Sequence, residues 1–164
     1  METKKITYRR IRPEDNEQIA AIIRRTLEEF GANKPGTVYY DPTTDHLFEL
    51  FQMEGSCYFI AEDENGMIGG AGIYPTTGLP ESTVELVKMY ILTPYRGKGI
   101  GKRLMEMCLI EARKMGYSSV YLETMPELTE ALPMYEKIGF QYLEKPMGES
   151  GHHGCPLWMI RELD

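Results

Sequence analysis

The fold of this chain is decided by the stretch Arg96-Gly97-Lys98-Gly99-Ile100-Gly101-Lys102. It directly follows residues 84–92, the strongest predicted strand, and it opens the strongest predicted helix, residues 99–115. Glycines in a strand-to-helix turn leave backbone N–H groups unshielded, and the free N–H groups of the first helical turn add to them. Four basic residues in eight positions (96–103) stand out in a chain of net charge −7. The turn is therefore predicted to bind an anionic phosphate.

Two common phosphate-binding loops do not fit this turn. A Walker loop would need glycine where Arg96 stands and serine or threonine where Arg103 stands. The dinucleotide fingerprint would need a third glycine at the position of Lys102. A nucleotide hydrolase is therefore disfavoured. The turn instead resembles Arg/Gln-x-x-Gly-x-Gly/Ala, the cofactor signature of the GNAT acetyltransferase superfamily.

The elements on either side of the turn predict a buried strand and a surface helix. Within the strand, regular alternation places one apolar set on each face, which is typical of a central strand covered on both sides. These sets are Val87, Met89 and Ile91 on one face, and Leu86, Tyr90 and Leu92 on the other. The helix carries one apolar stripe at helical spacing, formed by Ile100, Leu104, Met105, Cys108, Ala112 and Met115. Glu111 falls within that stripe without an evident reason.

The rest of the chain alternates between strand and helix patterns. Predicted strands span residues 6–11, 58–62, 67–74, 120–123, 140–143 and 157–162, and predicted helices span 13–31, 44–53 and 129–138. Glu64-Asn65-Gly66 predicts a hairpin turn, while Gly69, Gly70 and Gly72 indicate a bulge or a close backbone approach. Thr44 is the expected cap of the short second helix, and Trp158 is expected in the core.

This order of elements predicts one α/β domain over residues 1–164. Its sheet is expected to be mixed and mostly antiparallel, with parallel central strands and flanking helices.

Two motifs resemble the hallmarks of the GNAT acetyltransferase superfamily. The residues from Leu86 to Met105 resemble that family's central strand, cofactor loop and helix, and the residues from Ala131 to Phe140 are similar to its second hallmark. The specific motifs cover about residues 84–140, and the N-terminal third agrees in element order alone. The resemblance implies an acyl-CoA N-acyltransferase-like fold, with acetyl-CoA as cosubstrate and no metal.

The resemblance also implies roles for particular residues. The turn, from Arg96 through Gly97, Lys98, Gly99, Ile100 and Gly101 to Lys102, would wrap the pyrophosphate of coenzyme A, mainly through main-chain N–H groups. Met89, Tyr90 and Ile91 would offer main-chain groups to the pantetheine arm, where the central strand splays from its neighbour. Tyr135 would protonate the leaving thiolate, or it is simply a core aromatic residue.

The second motif departs from the family pattern in two places. Leu128 stands where many members carry asparagine, so a cofactor contact is missing or is supplied by Thr129. Pro133 lies inside the helix that bears Tyr135, and proline is tolerated only near a helix start, which predicts that this helix begins near Thr129.

Glu85 is the candidate general base from the residues alone. It begins the central strand among apolar neighbours, where burial would raise its pKa, and alternation places it on the face of Val87 and Met89. The alternative is an ion pair with a nearby lysine or arginine. Lys88 is expected on the opposite face and is not a catalytic candidate.

Composition excludes several other classes of function. The net charge of −7 disfavours nucleic acid as a partner, and no apolar run is long enough to cross a membrane. The N-terminus has no signal-peptide pattern, so a cytoplasmic location is expected. Three cysteines without a CxxC pair argue against a disulfide framework or a zinc ribbon. His152, His153 and Cys155 lack an evident fourth ligand, so a metal site is not expected and their role is left open.

The sequence thus predicts direct transfer of an acetyl group from acetyl-CoA to an amine, on a small molecule or on a protein. The alternative is a non-catalytic domain that binds or senses coenzyme A. The identity of the acceptor, the preferred acyl chain and the presence of a homodimer are left open.

Overall fold

A computed structural model describes residues 5–124, 131–150 and 154–164. The strands are β1 Thr7–Arg10, β2 Cys57–Asp63, β3 Gly66–Tyr74, β4 Thr83–Ile91, β5 Ser119–Thr124, β6 Gln141–Leu143 and β7 Leu157–Glu162. The α-helices are α1 Asn16–Glu29, α2 Leu47–Leu50, α3 Ile100–Lys114 and α4 Leu132–Ile138. Short 3-10 helices span Pro13–Asp15, Val38–Tyr40, Pro42–His46 and Thr93–Tyr95. The predicted order of strands and helices is confirmed.

One sheet of seven strands runs through the molecule in the order β1-β2-β3-β4-β5-β7-β6. The pair β4–β5, joined through α3, is parallel, and the other described pairs are antiparallel. Strand β7 inserts between β5 and β6, so the second β-α-β unit contains strands that are not neighbours. The predicted mixed, mostly antiparallel sheet is confirmed, with one parallel pair at its centre.

The two faces of the sheet are covered by different helices. Helix α3 packs on one face through Ile100, Leu104, Met105, Cys108, Leu109 and Ala112. Helix α1 packs on the other through Ile19, Ile22, Ile23 and Leu27. Met115 ends the predicted stripe but is 36% exposed, because it follows the last turn of α3. Glu111 lies within the apolar stripe because it forms an ion pair with Arg10: Nη2 of Arg10 lies 3.0 Å from Oε2 of Glu111.

The hairpin and glycine predictions also hold. Residues 64 and 65 connect β2 to β3, and Gly66 takes a φ of +124°, which suits glycine. A Cβ at Gly69 would come within 2.1 Å of the carbonyl oxygen of Tyr90, so this strand needs glycine for close approach to β4.

Two local predictions are wrong, and a third, the late start of the helix that bears Tyr135, holds with its first residue shifted. Asp41, and not Thr44, caps the 3-10 helix at Pro42–His46: its carboxylate accepts the N–H of Thr43 at 2.9 Å, while Thr44 donates to the carbonyl of Val38. Trp158 is only half-buried, because the alternation of β7 turns Met159 into the core instead. Helix α4 begins at Leu132, which places Pro133 in its first turn, where no proline N–H is needed. Leu128 and Thr129 lie outside the described residues.

A bulge between β3 and β4 changes the faces of the central strand. Gly72 pairs with Val87 and Gly70 with Tyr90, so Lys88 and Met89 together face Ala71. An extra residue reverses the alternation beyond it. Leu86, Met89 and Ile91 therefore share the α3 side, and Val87, Tyr90 and Leu92 the α1 side. The predicted face sets of β4 are wrong beyond the bulge, and Met89 leaves the face of Glu85.

None of the helices within the described ranges is long and apolar enough to cross a membrane.

Candidate active site

The central strands separate in the middle of the sheet. Strand β4 pairs with β5 only from Thr83 to Glu85, whereas β5 continues to pair with β7 as far as Thr124. Beyond Glu85, β4 turns an open edge towards the gap. This splay, expected at residues 89–91, creates two pockets along the strand.

The larger pocket is a cleft of 600 Å³, which we call the wide cleft. Nine of the ten predicted cofactor-binding residues line it: Met89, Tyr90, Ile91, Arg96, Gly97, Gly99, Ile100, Gly101 and Lys102. Lys98 does not line it, and its ammonium lies 5.8 Å from the centre of the Tyr95 ring. Sequence reasoning missed Thr26 in α1, Phe30 just after it, and Ala131 and Met134 around α4, because only the fold brings them to the loop.

The loop before α3 exposes its backbone to the wide cleft. Gly97 and Gly99 take φ values of +74° and +83°, and a Cβ at either would meet no other part of the described chain within 4 Å. Among described residues, the N–H groups of residues 97–102 have no recorded backbone acceptor, whereas the N–H of Arg103 donates to the carbonyl of Gly99 at 3.0 Å. Such unused donors at a helix start fit a diphosphate.

Arg96 holds the loop in place through contacts that the sequence did not reveal. Its Nε donates to the carbonyl oxygen of Ile91 at 2.8 Å, and its Nη1 pairs with the carboxylate of Glu29 on α1. Its guanidinium also lies 4.9 Å from the centre of the Phe30 ring. The side chain of Arg96 thus ties the loop to β4 and α1, while Lys98 and Lys102 are the exposed cations of the stretch.

The smaller pocket, which we call the narrow pocket, has a volume of 60 Å³. It lies in the splay, with Glu85 and Lys88 from β4 and Glu123 from β5 in its walls. Thr37 and Cys155 also line it, from segments outside the sheet. Met89, Tyr90 and Tyr135 line both pockets. The wide cleft and the narrow pocket therefore meet at these three residues.

Glu85 has the properties of a general base. It is 3% exposed, and burial, with the charge of Glu123, raises its pKa to about 7, although the Thr76 hydrogen bond and Lys88 act against this rise. The hydroxyl of Thr76 donates to Oε1 of Glu85 at 2.5 Å. No ion pair of Glu85 with a lysine or arginine is recorded within the described part of the chain.

Tyr135 lies at the junction of the two pockets. It is 7% exposed, and its ring packs edge-to-face against Phe140 with centroids 6.0 Å apart. Burial raises the pKa of its phenol, so the hydroxyl keeps its proton at neutral pH and can act as an acid. The packing against Phe140 also agrees with a structural role.

The bulge places Lys88 in the narrow pocket, which contradicts the prediction that it points away from Glu85. Lys88 has a φ of +54°, the only positive value at a non-glycine among the described residues. The hydroxyl of Tyr58 donates to the carbonyl oxygen of Lys88 at 2.6 Å. The Tyr58 ring fits only because β3 has glycines: a Cβ at Gly70 or Gly72 would come within 2.5 or 2.6 Å of that ring. The glycine run was the signal that could have located this contact.

A search of residues 5–124, 131–150 and 154–164 finds no group of three or more His, Cys, Asp or Glu side chains arranged to hold a metal ion. His152 and His153 lie outside the described residues. Cys155 is half-buried.

Comparison with known proteins shows the family of the chain. The model of the acetyltransferase (GNAT) family matches residues 19–140. The uncharacterized N-acetyltransferase YjgM of Escherichia coli (strain K12) is 41% identical over 157 residues, which cover 94% of this chain and 93% of YjgM.

Solved structures share the fold. A GNAT-family acetyltransferase from Staphylococcus aureus Mu50 superposes with a TM-score of 0.84 at 18% identity. The match covers 98% of this chain and 100% of the Staphylococcus aureus chain. An acetyltransferase structure from Salmonella typhimurium, solved with its cofactor acetyl-CoA, has a TM-score of 0.73 at 20% identity, covering 98% of this chain and 95% of its own.

The chain belongs to the acetyltransferase (GNAT) family. It is an acetyl-CoA-dependent N-acetyltransferase.

Proposed function

We propose that this enzyme transfers an acetyl group directly from acetyl-CoA to an amine, with acetyl-CoA in the wide cleft and the amine in the narrow pocket. The observation that carries the proposal is the meeting of the two pockets at Met89, Tyr90 and Tyr135. A donor and an acceptor bound from either side would bring their reacting atoms together there, which removes much of the entropic barrier to reaction.

The residues of the wide cleft suit the parts of acetyl-CoA. The free N–H groups of residues 97–102 would hold the diphosphate, with Lys102 adding charge. The open edge of β4 at residues 89–91 would hydrogen-bond the pantetheine arm. An N–H group there would also polarise the thioester carbonyl, as an oxyanion-hole donor does. Bound acetyl-CoA supplies the activated acetyl group.

Two buried side chains suit the proton transfers. An amine must lose a proton to become a nucleophile, and Glu85, with a pKa of about 7, would accept it directly or through a water. As the new C–N bond forms and the C–S bond breaks, Tyr135 would donate its proton to the sulfur and recover it from solvent. The acceptor amine belongs to a small molecule or a protein. The proposed location of the enzyme is the cytoplasm.

A coenzyme A-binding domain without catalysis is the alternative, because the wide cleft alone would support binding. The test combines calorimetric binding of acetyl-CoA with thiol release over a panel of amines, each product being identified by mass. Amine-dependent thiol release with an N-acetylated product supports the enzyme. Binding without thiol release favours the sensing domain, and the absence of binding contradicts both.

A further inference from the structure

We infer that Lys88 anchors an anionic group of the acceptor, so that the acceptor is a compact amine that also carries a carboxylate or a similar acid. The inference rests on the proposed transfer to an amine and names the acceptor class for the same narrow pocket. Three observations carry it: the backbone of Lys88, the lack of a partner for its ammonium, and the charges around it.

The backbone at Lys88 is held in an unfavourable conformation that directs the side chain. A regular strand would turn residues 85 and 88 to opposite faces. The bulge, with its positive φ at Lys88, instead lets both residues line the narrow pocket. Strained backbone persists only where surrounding structure enforces it, and it clusters at functional sites. Here Tyr58 enforces it through its hydrogen bond to the Lys88 carbonyl.

Lys88 is a buried residue in the wall of the narrow pocket, and its ammonium has no recorded partner among the described residues. The residue is 7% exposed, and among described residues no hydrogen bond or ion pair of its side chain is found. Burying a charge is costly unless it is paired, and a lysine has three donors to satisfy. A ligand anion entering the narrow pocket would provide that pair.

The charges around Lys88 match an acceptor with both signs of charge. Burial lowers the pKa of the lysine, and the acidic groups of Asp41, Glu85 and Cys155 raise it. Glu85 in turn is influenced by the charge of Glu123. The carboxylate of Asp41 accepts the N–H and the hydroxyl of Thr43 in its own turn, which holds it there.

The narrow pocket thus has carboxylates that can pair with an ammonium group of the acceptor, and one ammonium, that of Lys88, that can pair with an acidic group of the acceptor. An amine without an acid would satisfy Glu85 and leave Lys88 unpaired. The volume of 60 Å³ favours a compact acceptor.

The experiment compares amino acids with their own amides, since each pair shares size, shape and amine. Suitable compact pairs are glycine and glycinamide, L-alanine and L-alaninamide, and β-alanine and β-alaninamide. We expect kcat/KM of the wild-type enzyme to be at least about tenfold higher for the acid, the ratio equivalent to one favourable charged contact. The amide's amine is less basic and more of it is neutral, so amine reactivity works against this expected preference.

Lys88→Met tests the residue itself, and Lys114→Met removes an equal charge from the exposed end of α3 as the control. We expect Lys88→Met to raise KM for the acids about tenfold or more and to abolish the preference within each pair. Lys114→Met should keep the preference.

The outcomes separate this inference from the proposed function. Equal kcat/KM within every pair in the wild-type enzyme overturns the anchor but leaves transfer to amines intact, even if Lys88→Met fails to fold. A preference that survives in folded Lys88→Met also overturns it. Acetyl-CoA binding without turnover of any amine contradicts the proposed function and removes the basis of the anchor.

Discussion

The wide cleft and the narrow pocket are built by different means. The loop that lines the wide cleft belongs to a run of consecutive residues, 96–102, which under the proposal would bind the diphosphate through bare backbone. The narrow pocket assembles side chains from residues as far apart as Thr37, Glu85, Glu123 and Cys155. A diphosphate is bound by N–H groups that almost any sequence with the right glycines presents, whereas proton transfer needs particular side chains in a buried place. Variants of the two pockets should therefore behave differently. We expect changes in the wide cleft to alter the affinity for acetyl-CoA, and changes in the narrow pocket to alter the reaction with the acceptor.

The largest effect is expected from Glu85→Gln. Removing a general base lowers turnover by roughly 10²–10⁴-fold, so we expect kcat to fall about 10³-fold with acetyl-CoA affinity unchanged. The wild-type rate should rise with pH and level off above about 7, where Glu85 is ionised. Steady-state kinetics across pH measure both, with the exposed Glu54→Gln as the control. A variant that keeps the rate and the pH profile would remove Glu85 from the mechanism.

Glu85→Gln, which should lower turnover, is expected to raise the stability of the folded protein. The folded-state pKa of Glu85 is raised, so the stability that its protonated form contributes is complete below the ordinary glutamate pKa and is lost as pH rises through about 7. Glutamine cannot ionise, and its amide oxygen can still accept the Thr76 hydroxyl. Glu85→Gln should therefore unfold at a higher temperature than the wild type above pH 7, as measured by thermal denaturation.

Tyr135→Phe is expected to lower kcat about 10²-fold, the lower end of the range for a general acid, and to leave acetyl-CoA affinity nearly unchanged. The ring keeps its packing against Phe140, so the fold should be preserved. Tyr142→Phe is the matched control, because that hydroxyl is at the surface and donates to Glu136. Full activity in Tyr135→Phe would leave the residue with its structural role alone.

Gly101→Ala tests the wide cleft without disturbing the fold. A Cβ there would lie 3.6 Å from Met134, an ordinary contact, and alanine favours the helix by up to about 1 kcal/mol. We expect acetyl-CoA affinity to fall about tenfold, equivalent to ~1.4 kcal/mol, with stability equal or higher and kcat at saturation little changed.

Gly99→Val is the comparison for Gly101→Ala. It places a branched side chain at a φ of +83°, so it should lose both stability and affinity. Calorimetric titration and thermal denaturation separate the two cases. Unchanged affinity in Gly101→Ala would mean that the helix start does not approach the diphosphate.

The smallest effect on the reaction is expected from Tyr58→Phe, which acts on the narrow pocket through the bulge. Loss of the hydroxyl leaves the buried carbonyl of Lys88 without its partner, at a cost of about 1–3 kcal/mol. We expect kcat to fall about threefold because the bulge relaxes. This is the ratio equivalent to ~0.7 kcal/mol.

Tyr117→Phe removes a hydroxyl that donates to the carbonyl of Gly55, and it serves as the control because neither residue lines either pocket. It should lower stability in urea denaturation without changing kcat. Equal kinetics in the two variants would mean that the bulge does not position the reacting groups.

The parts of this protein that could be predicted from sequence are local ones. The Asn65-Gly66 turn, the glycine loop and the apolar stripe of α3 depend on residues within a few positions of each other, whose conformations follow from φ preferences and helical spacing. Burial of Glu85 was also predictable, because its neighbours in the strand are apolar.

The errors arose where distant segments decide the conformation. The alternation of β4 fails at Lys88 because β3 and Tyr58 impose a bulge, and no pattern within β4 itself records their presence. Arg96 was expected only in the cofactor loop, and its contacts with Glu29 and Phe30 required knowledge of where α1 lies.

Short-range periodicity and contiguous motifs were enough to predict the order of elements, the glycine loop before α3 and the acetyltransferase family. That Glu85, Lys88 and Tyr135 line one pocket could be seen only in the tertiary structure. Strand pairing, the splay of β4 from β5 and the bulge are contacts between segments far apart in the chain, and they alone set the direction and burial of those side chains.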